Sequence, residues 1–174
     1  MVHSVELLFD ENTEATTKKG WQALSAAGLR CPAQTSRPHL TLVVAGAIAA
    51  HVDELLSPVT LQLPLPCTVG APMLFGESRF TLVRQVVPTA ELIALQAEVY
   101  RICLPYLTPG PAPNTVPGQW SPHLTMARRV DPAQVATAVA IRRLAREITA
   151  TVVGLRRWDG NKRVEYPIPH PHRR

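Results

Sequence analysis

The tetrapeptide Pro-His-Leu-Thr occurs twice, at residues 38–41 and again at residues 122–125. Its two histidines, His39 and His123, stand 84 residues apart, close to half of a 174-residue chain. A repeated tetrapeptide carries little weight alone, but here each copy sits in the same predicted order of strand, helix, strand, helix, strand. Residues 2–9 place Val5, Leu7 and Phe9 on one face at period two, which predicts a strand. Residues 10–28 predict a helix, with polar residues at its start, Trp21 and Leu24 at helical spacing, and Gly28 as its stop. A β-branched strand over 38–46, a short helix over 48–56 and an extended, proline-bearing segment over 59–70 complete the first set. From Arg79 the order begins again: strand 79–87, helix 88–104, strand 122–130, helix 131–146, and an extended stretch over 147–158. The pattern is that of an internal duplication. It predicts one domain of two lobes, about 1–78 and 79–170, with a tail over 167–174.

One segment breaks the match. Residues 104–120, "LPYLTPGPAPNTVPGQW", form a proline-rich insertion that runs straight into the second tetrapeptide. A loop of that length inside a small domain is expected to be a mobile border of the site. The tail "PIPHPHRR" is expected to fray, with His170 and His172 as ordinary surface histidines.

The net charge of +5 is unevenly spread. Residues 1–120 carry 7 basic and 9 acidic side chains, and residues 121–174 carry 11 and 4. Clustered Arg and Lys favour an anionic partner, phosphate-bearing molecules first, although solvated helix faces give the same count. Cys31, Cys67 and Cys103 form no CxxC pair, so neither a zinc knuckle nor a disulfide framework is indicated. The acidic N-terminal stretch has no basic region ahead of an apolar one, and the longest mostly apolar run ends at His51 after eleven residues. Spanning a bilayer takes about 20 residues. A cytoplasmic protein that does not engage membranes, working as a monomer, is the expectation.

On a strand, residues i and i+2 share a face, so His39 with Thr41, and His123 with Thr125, each present an imidazole beside a hydroxyl. A single histidine on an apolar strand is usually a hydrogen-bonded core residue. Two matched couples meeting across an approximate two-fold make a different case, because burying four polar groups for packing alone is costly. Imidazole titrates near neutral pH, so one ring can hold a proton while the other does not. That pairing suits acid-base cleavage of a phosphodiester, each proton transfer contributing about 10²–10⁴ in rate. The threonine hydroxyls can donate to non-bridging phosphate oxygens as charge grows there. A zinc site wants three or four His, Cys or carboxylate ligands, and neither motif has an acidic residue or cysteine nearby on its inward face. Neither a metal nor another cofactor is required.

The two motifs, "HLTL" at His39 and "HLTM" at His123, half a chain apart in a protein of this size, closely resemble the 2H phosphoesterase superfamily. Within it the chain is similar to the 2′-5′ RNA ligase and RNA 2′,3′-cyclic phosphodiesterase group. The resemblance implies an α+β fold: a bilobal pseudo-two-fold arrangement of two antiparallel sheets, helices on their outer faces and a central cleft. It also implies metal-independent hydrolysis of cyclic nucleotide phosphates, and in some members reversible 2′-5′ RNA joining. Carried over, His39 and His123 are the acid-base pair, and Thr41 and Thr125 hold the phosphate.

Three further residues are candidate substrate contacts. Alternation from His123 puts Arg129 on the face of Thr125, where it could meet a second phosphate or be a strand-end arginine. Trp120 could stack on a base or anchor the loop, and Arg37, just ahead of the first motif, has the same two readings. The near-identity of the motifs leaves acid and base interchangeable. RNA or a nucleotide phosphodiester is the expected partner. Two rival readings stay open: a non-catalytic RNA-binding module, supported by the basic last third, and a 2H enzyme acting on a non-RNA phosphodiester, supported by an aromatic content of only 5%.

Overall fold

The computed structural model describes residues 2–171, with the side chains of residues 142 and 143 outside the description. His172 therefore lies outside the described residues.

Alternation in the first strand, β1 (His3–Phe9), sends Val5, Leu7 and Phe9 into the core and leaves Ser4 and Glu6 on the opposite face. Helix α1 (Glu11–Ala26) starts where Asp10 accepts from the Thr13 amide at 2.9 Å. The same carboxylate accepts from the Thr151 amide at 2.8 Å, tying the cap to the far end of the chain. Then come β2 (His39–Ile48), α2 (Val52–Leu56), a 3-10 segment Ser57–Gln62, and β3 (Leu65–Phe75). The second set is β4 (Phe80–Val86), α3 (Ala90–Cys103), β5 (Leu107–Pro111), β6 (His123–Val130), α4 (Pro132–Val139), α5 (Arg142–Ala145), β7 (Ile148–Asp159) and β8 (Val164–Pro167).

The α+β architecture holds, but the strands form one hydrogen-bonded sheet instead of the two expected. Its order is β5-β2-β1-β7-β3-β4-β6, with β8 on β7 and every pairing antiparallel. The reason is the length of β7. Its residues 148–152 pair with β3, its residues 152–159 pair with β1, and β8 follows along the edge that β3 vacates. A single 12-residue strand thus belongs to both halves of the molecule.

The helices cross over. Helix α1, from the first half of the sequence, packs on β6 and β7, and α3, from the second half, packs on β2. Gly20 permits part of this approach, since a Cβ there would lie 2.9 Å from the Met126 methyl carbon. Strand β3, also from the first half, pairs with β4. Each half of the sequence thus packs on or pairs with elements of the other.

The insertion is ordered and docked, not a mobile loop. Strand β5 extends the sheet along β2, the Ala112 amide donates to Val44 O at 2.8 Å, and Gln96 of α3 donates to Thr115 O at 2.7 Å. The described part of the tail, residues 167–171, is docked as well: the Ile168 amide donates to Leu155 O at 2.9 Å, Ile168 is buried, and Ser57 donates to Pro169 O. The long helix expected over 131–146 breaks near Ala140 into α4 and α5. Residues 59–62, the start of the segment expected to be extended, are wound instead into the 3-10 turn Ser57–Gln62, because Pro58 suits the first turn of a helix.

Candidate active site

Both motifs obey strand alternation where it matters. Leu40 and Leu42 of β2, and Leu124 and Met126 of β6, face the helices and are buried. His39, Thr41, His123 and Thr125 therefore face the other way, and all four line one cleft of about 910 Å³.

The proline of each motif has a local consequence. The residue before a proline is driven into an extended conformation. In both motifs the carbonyl of that residue reaches the following imidazole: His39 Nδ1 lies 2.9 Å from Arg37 O, and His123 Nδ1 lies 2.6 Å from Ser121 O. A carbonyl only accepts, so each Nδ1 carries the hydrogen and donates it. In the neutral ring the lone pair is left on Nε2. The threonines are matched too. Trp120 Nε1 donates to Thr41 O at 2.9 Å, and Trp21 Nε1 donates to Thr125 O at 3.0 Å. Each indole comes from the opposite half of the sequence, so each half clamps the other's motif.

The surroundings differ. His39 Nε2 stands 3.5 Å from Glu6 Oε1, an ion pair whenever the ring is protonated. Glu6 is only 3% exposed, accepts from Arg156 Nε at 2.8 Å and contacts Arg156 Nη2 at 2.7 Å, while the Ser4 hydroxyl donates to its other oxygen. His123 meets instead the ring of Phe75, edge-on with centroids 4.9 Å apart. Burial pushes the His123 imidazole below its ordinary value. The Ser121 carbonyl works the other way, while the charges of Arg128 and His39 lower it further.

A second recess of about 780 Å³ adjoins the first, and His39, Thr125, Arg128, Trp158 and Arg163 border both. Arg37 lines the second recess, held by Glu14 at 2.6 and 3.0 Å. Trp120 lines the first while its indole N–H anchors the loop, so packing and cleft-lining coexist in one side chain.

Arg129 is the exception: it lines neither recess, and Arg128 takes the cleft position. The register explains why. Thr125 pairs with Val83 but Ala127 pairs with Leu82, so β6 advances two residues while β4 moves one. That bulge shifts the alternation by one residue, and Arg129 itself adopts φ 55°, in the left-handed region. Ser4, Glu6, Arg128 and Arg163 were not predicted. For Ser4 and Glu6 the signal was present, since both alternate with Val5, Leu7 and Phe9 on the face turned toward the motifs.

Among the described residues no three His, Cys, Asp or Glu side chains group as a metal ion would require. No helix among them is long and apolar enough to cross a membrane.

The sequence profile of the 2′-5′ RNA ligase superfamily matches residues 12–163. The chain belongs to that superfamily. Solved structures sharing the fold include TT0787 of Thermus thermophilus, with a TM-score of 0.61 at 16% identity over 99% of this chain and 100% of that one. Usb1 of Kluyveromyces marxianus gives 0.55 at 10% identity over 97% of each chain. LigT of E. coli complexed with 3′-AMP gives 0.52 at 15% identity over 97% of this chain and 94% of that one. No curated protein sequence matches the chain. Membership supports a phosphoesterase role related to RNA processing.

Proposed function

We propose that this member of the superfamily hydrolyses 2′,3′-cyclic phosphate ends of RNA or small nucleotides, with His39 and His123 as its acid-base pair. The observation that carries the reading is the matched tethering of both imidazoles, each fixed through Nδ1 on a backbone carbonyl with Nε2 left for the cleft. The unlike surroundings divide the roles. His123, half-buried and disfavoured as a cation, takes a proton from the attacking water; His39, beside the Glu6 carboxylate, gives one to the departing ribose oxygen. Water oxygen bonds to phosphorus as the bond to one ribose oxygen breaks, leaving a phosphomonoester and a free hydroxyl. Thr41 and Thr125 donate hydroxyl hydrogens to the non-bridging oxygens, and Arg128 adds charge where it develops.

With a ribose 5′-hydroxyl in place of water as the nucleophile, the same step joins 2′-5′ ends, the new bond to phosphorus forming as the bond to the 3′ oxygen breaks. RNA is favoured over a non-nucleotide diester by Phe75, Trp120 and Trp158, which gather in one cleft despite the low aromatic content of the chain. LigT, which shares the fold, has been solved in complex with 3′-AMP, which supports a nucleotide as the ligand class.

The test is the purified protein in EDTA with 2′,3′-cyclic nucleotides, a cyclic-phosphate-ended RNA and a 2′-5′ dinucleotide. Turnover with a bell-shaped pH profile is expected. Turnover that survives His39→Ala or His123→Ala overturns the acid-base assignment, and salt-sensitive RNA binding without turnover points to a binding module.

A further inference from the structure

Four arginines surround the second recess, and they are not equivalent. Arg37 is committed to Glu14, and Arg156 to Glu6 and Glu165. Arg128 and Arg163 form no ion pair among the described residues, are exposed, and border both recesses. Arg128 stands on the motif strand two residues beyond the bulge and belongs with the reacting phosphate. Arg163 comes from elsewhere, the turn that joins β7 to β8.

That turn is built to hold one shape. Asp159 accepts from the amides of Asn161 at 2.9 Å and Lys162 at 3.0 Å. The Gly160 amide donates to Val2 O at 3.1 Å, and a Cβ on Gly160 would fall 2.3 Å from that oxygen, so only glycine lets the turn sit this close to β1. Arg163 itself adopts φ 58°, a conformation that residues with a side chain rarely take. Such backbones persist where the surroundings over-determine them, and they collect at ligand sites. Here the strained residue is an uncommitted cation at the junction of the two recesses.

We infer that Arg163 forms a second phosphate subsite, which takes a phosphate of the same nucleotide substrate other than the one being cleaved. The inference rests on the proposed reaction for the identity of the substrate. Phe75 and Trp120 line the first recess alone, whereas His39 and Thr125 border both recesses together with the two unpaired arginines, Arg128 and Arg163. A nucleotide whose reacting phosphate lies at His39 and Thr125 thus has a second cation beside it for a further phosphate. The further phosphate can be a 5′-terminal group or an internucleotide link, and the two share one chemistry at a guanidinium.

Calorimetry tests this without turnover, using adenosine 3′-monophosphate, adenosine 3′,5′-bisphosphate and a 3′-phosphorylated dinucleotide as probes. A charge-assisted contact of this kind corresponds to about tenfold tighter binding of at least one doubly charged probe over the monophosphate. Preference for the bisphosphate identifies a terminal phosphate as the occupant, and preference for the dinucleotide alone identifies an internucleotide one. Arg163→Asn, chosen because asparagine tolerates the left-handed backbone, is expected to erase the preference, and Lys162→Ala to keep it. Equal binding of all three probes by the native protein, or a preference that survives Arg163→Asn, overturns the subsite. Absence of hydrolysis with the preference intact would instead remove the proposed reaction and leave the subsite standing.

Discussion

The His39 half and the His123 half of the cleft agree atom for atom at the backbone and disagree one layer out. In each, a carbonyl two residues upstream holds Nδ1, and an indole from the other half of the sequence holds the threonine carbonyl. Beyond that, one imidazole faces a carboxylate locked by Arg156 and the other faces an aromatic ring and a free arginine. The repeated motif and its tethers are alike in the two halves. The side chains that would set the two imidazoles apart as acid and base in the proposed reaction are not.

The sharpest way to break the comparison is to remove each imidazole. His39→Ala and His123→Ala are each expected to lower kcat on a cyclic nucleotide by about 10²–10⁴. The double variant should be little worse than the poorer single one, since the pair acts as a unit. A large difference between the single variants would mean that one ring alone carries the reaction. Next in size are the hydroxyls: Thr41→Val and Thr125→Val should each cost about 10² in kcat, with KM changing less, as for loss of a donor to the developing charge.

The pH profile sharpens the contrast. A base whose value is depressed stays neutral to lower pH, so the acid-side fall in kcat/KM should lie below the ordinary histidine range of about 6.5. Arg128→Gln removes a repelling charge and Phe75→Ala admits water to the ring; each should move that fall to higher pH. If neither variant moves it, His123 is not the base. The smallest expected effect concerns the two clamps. Trp21→Phe and Trp120→Phe should each destabilise the fold by about 1 kcal/mol through the lost hydrogen bond, read as a shift in the urea midpoint.

The motif residues were legible because period-two alternation is set by the pleat and survives wherever register is regular. Leu40, Leu42, Leu124 and Met126 bury as alternation requires, which fixes the direction of the histidines and threonines between them. Arg129 was misplaced for the converse reason: a bulge is a property of two paired strands, and the partner strand β4 lies some forty residues away in sequence. The Glu6 and Arg156 pair was hidden by distance as well, since only the pairing of β1 with β7 brings the two together. The docking of residues 104–120 followed from an open edge on β2 that composition does not reveal.

Strand β7, which pairs with both β1 and β3, together with the crossed helices, makes the protein indivisible in a way its repeat does not advertise. A gene cut at its midpoint would encode two pieces that each hold the other's fastening and lack their own. The two halves are hostages to one another, and neither His-Thr couple can drift in position without carrying its counterpart along.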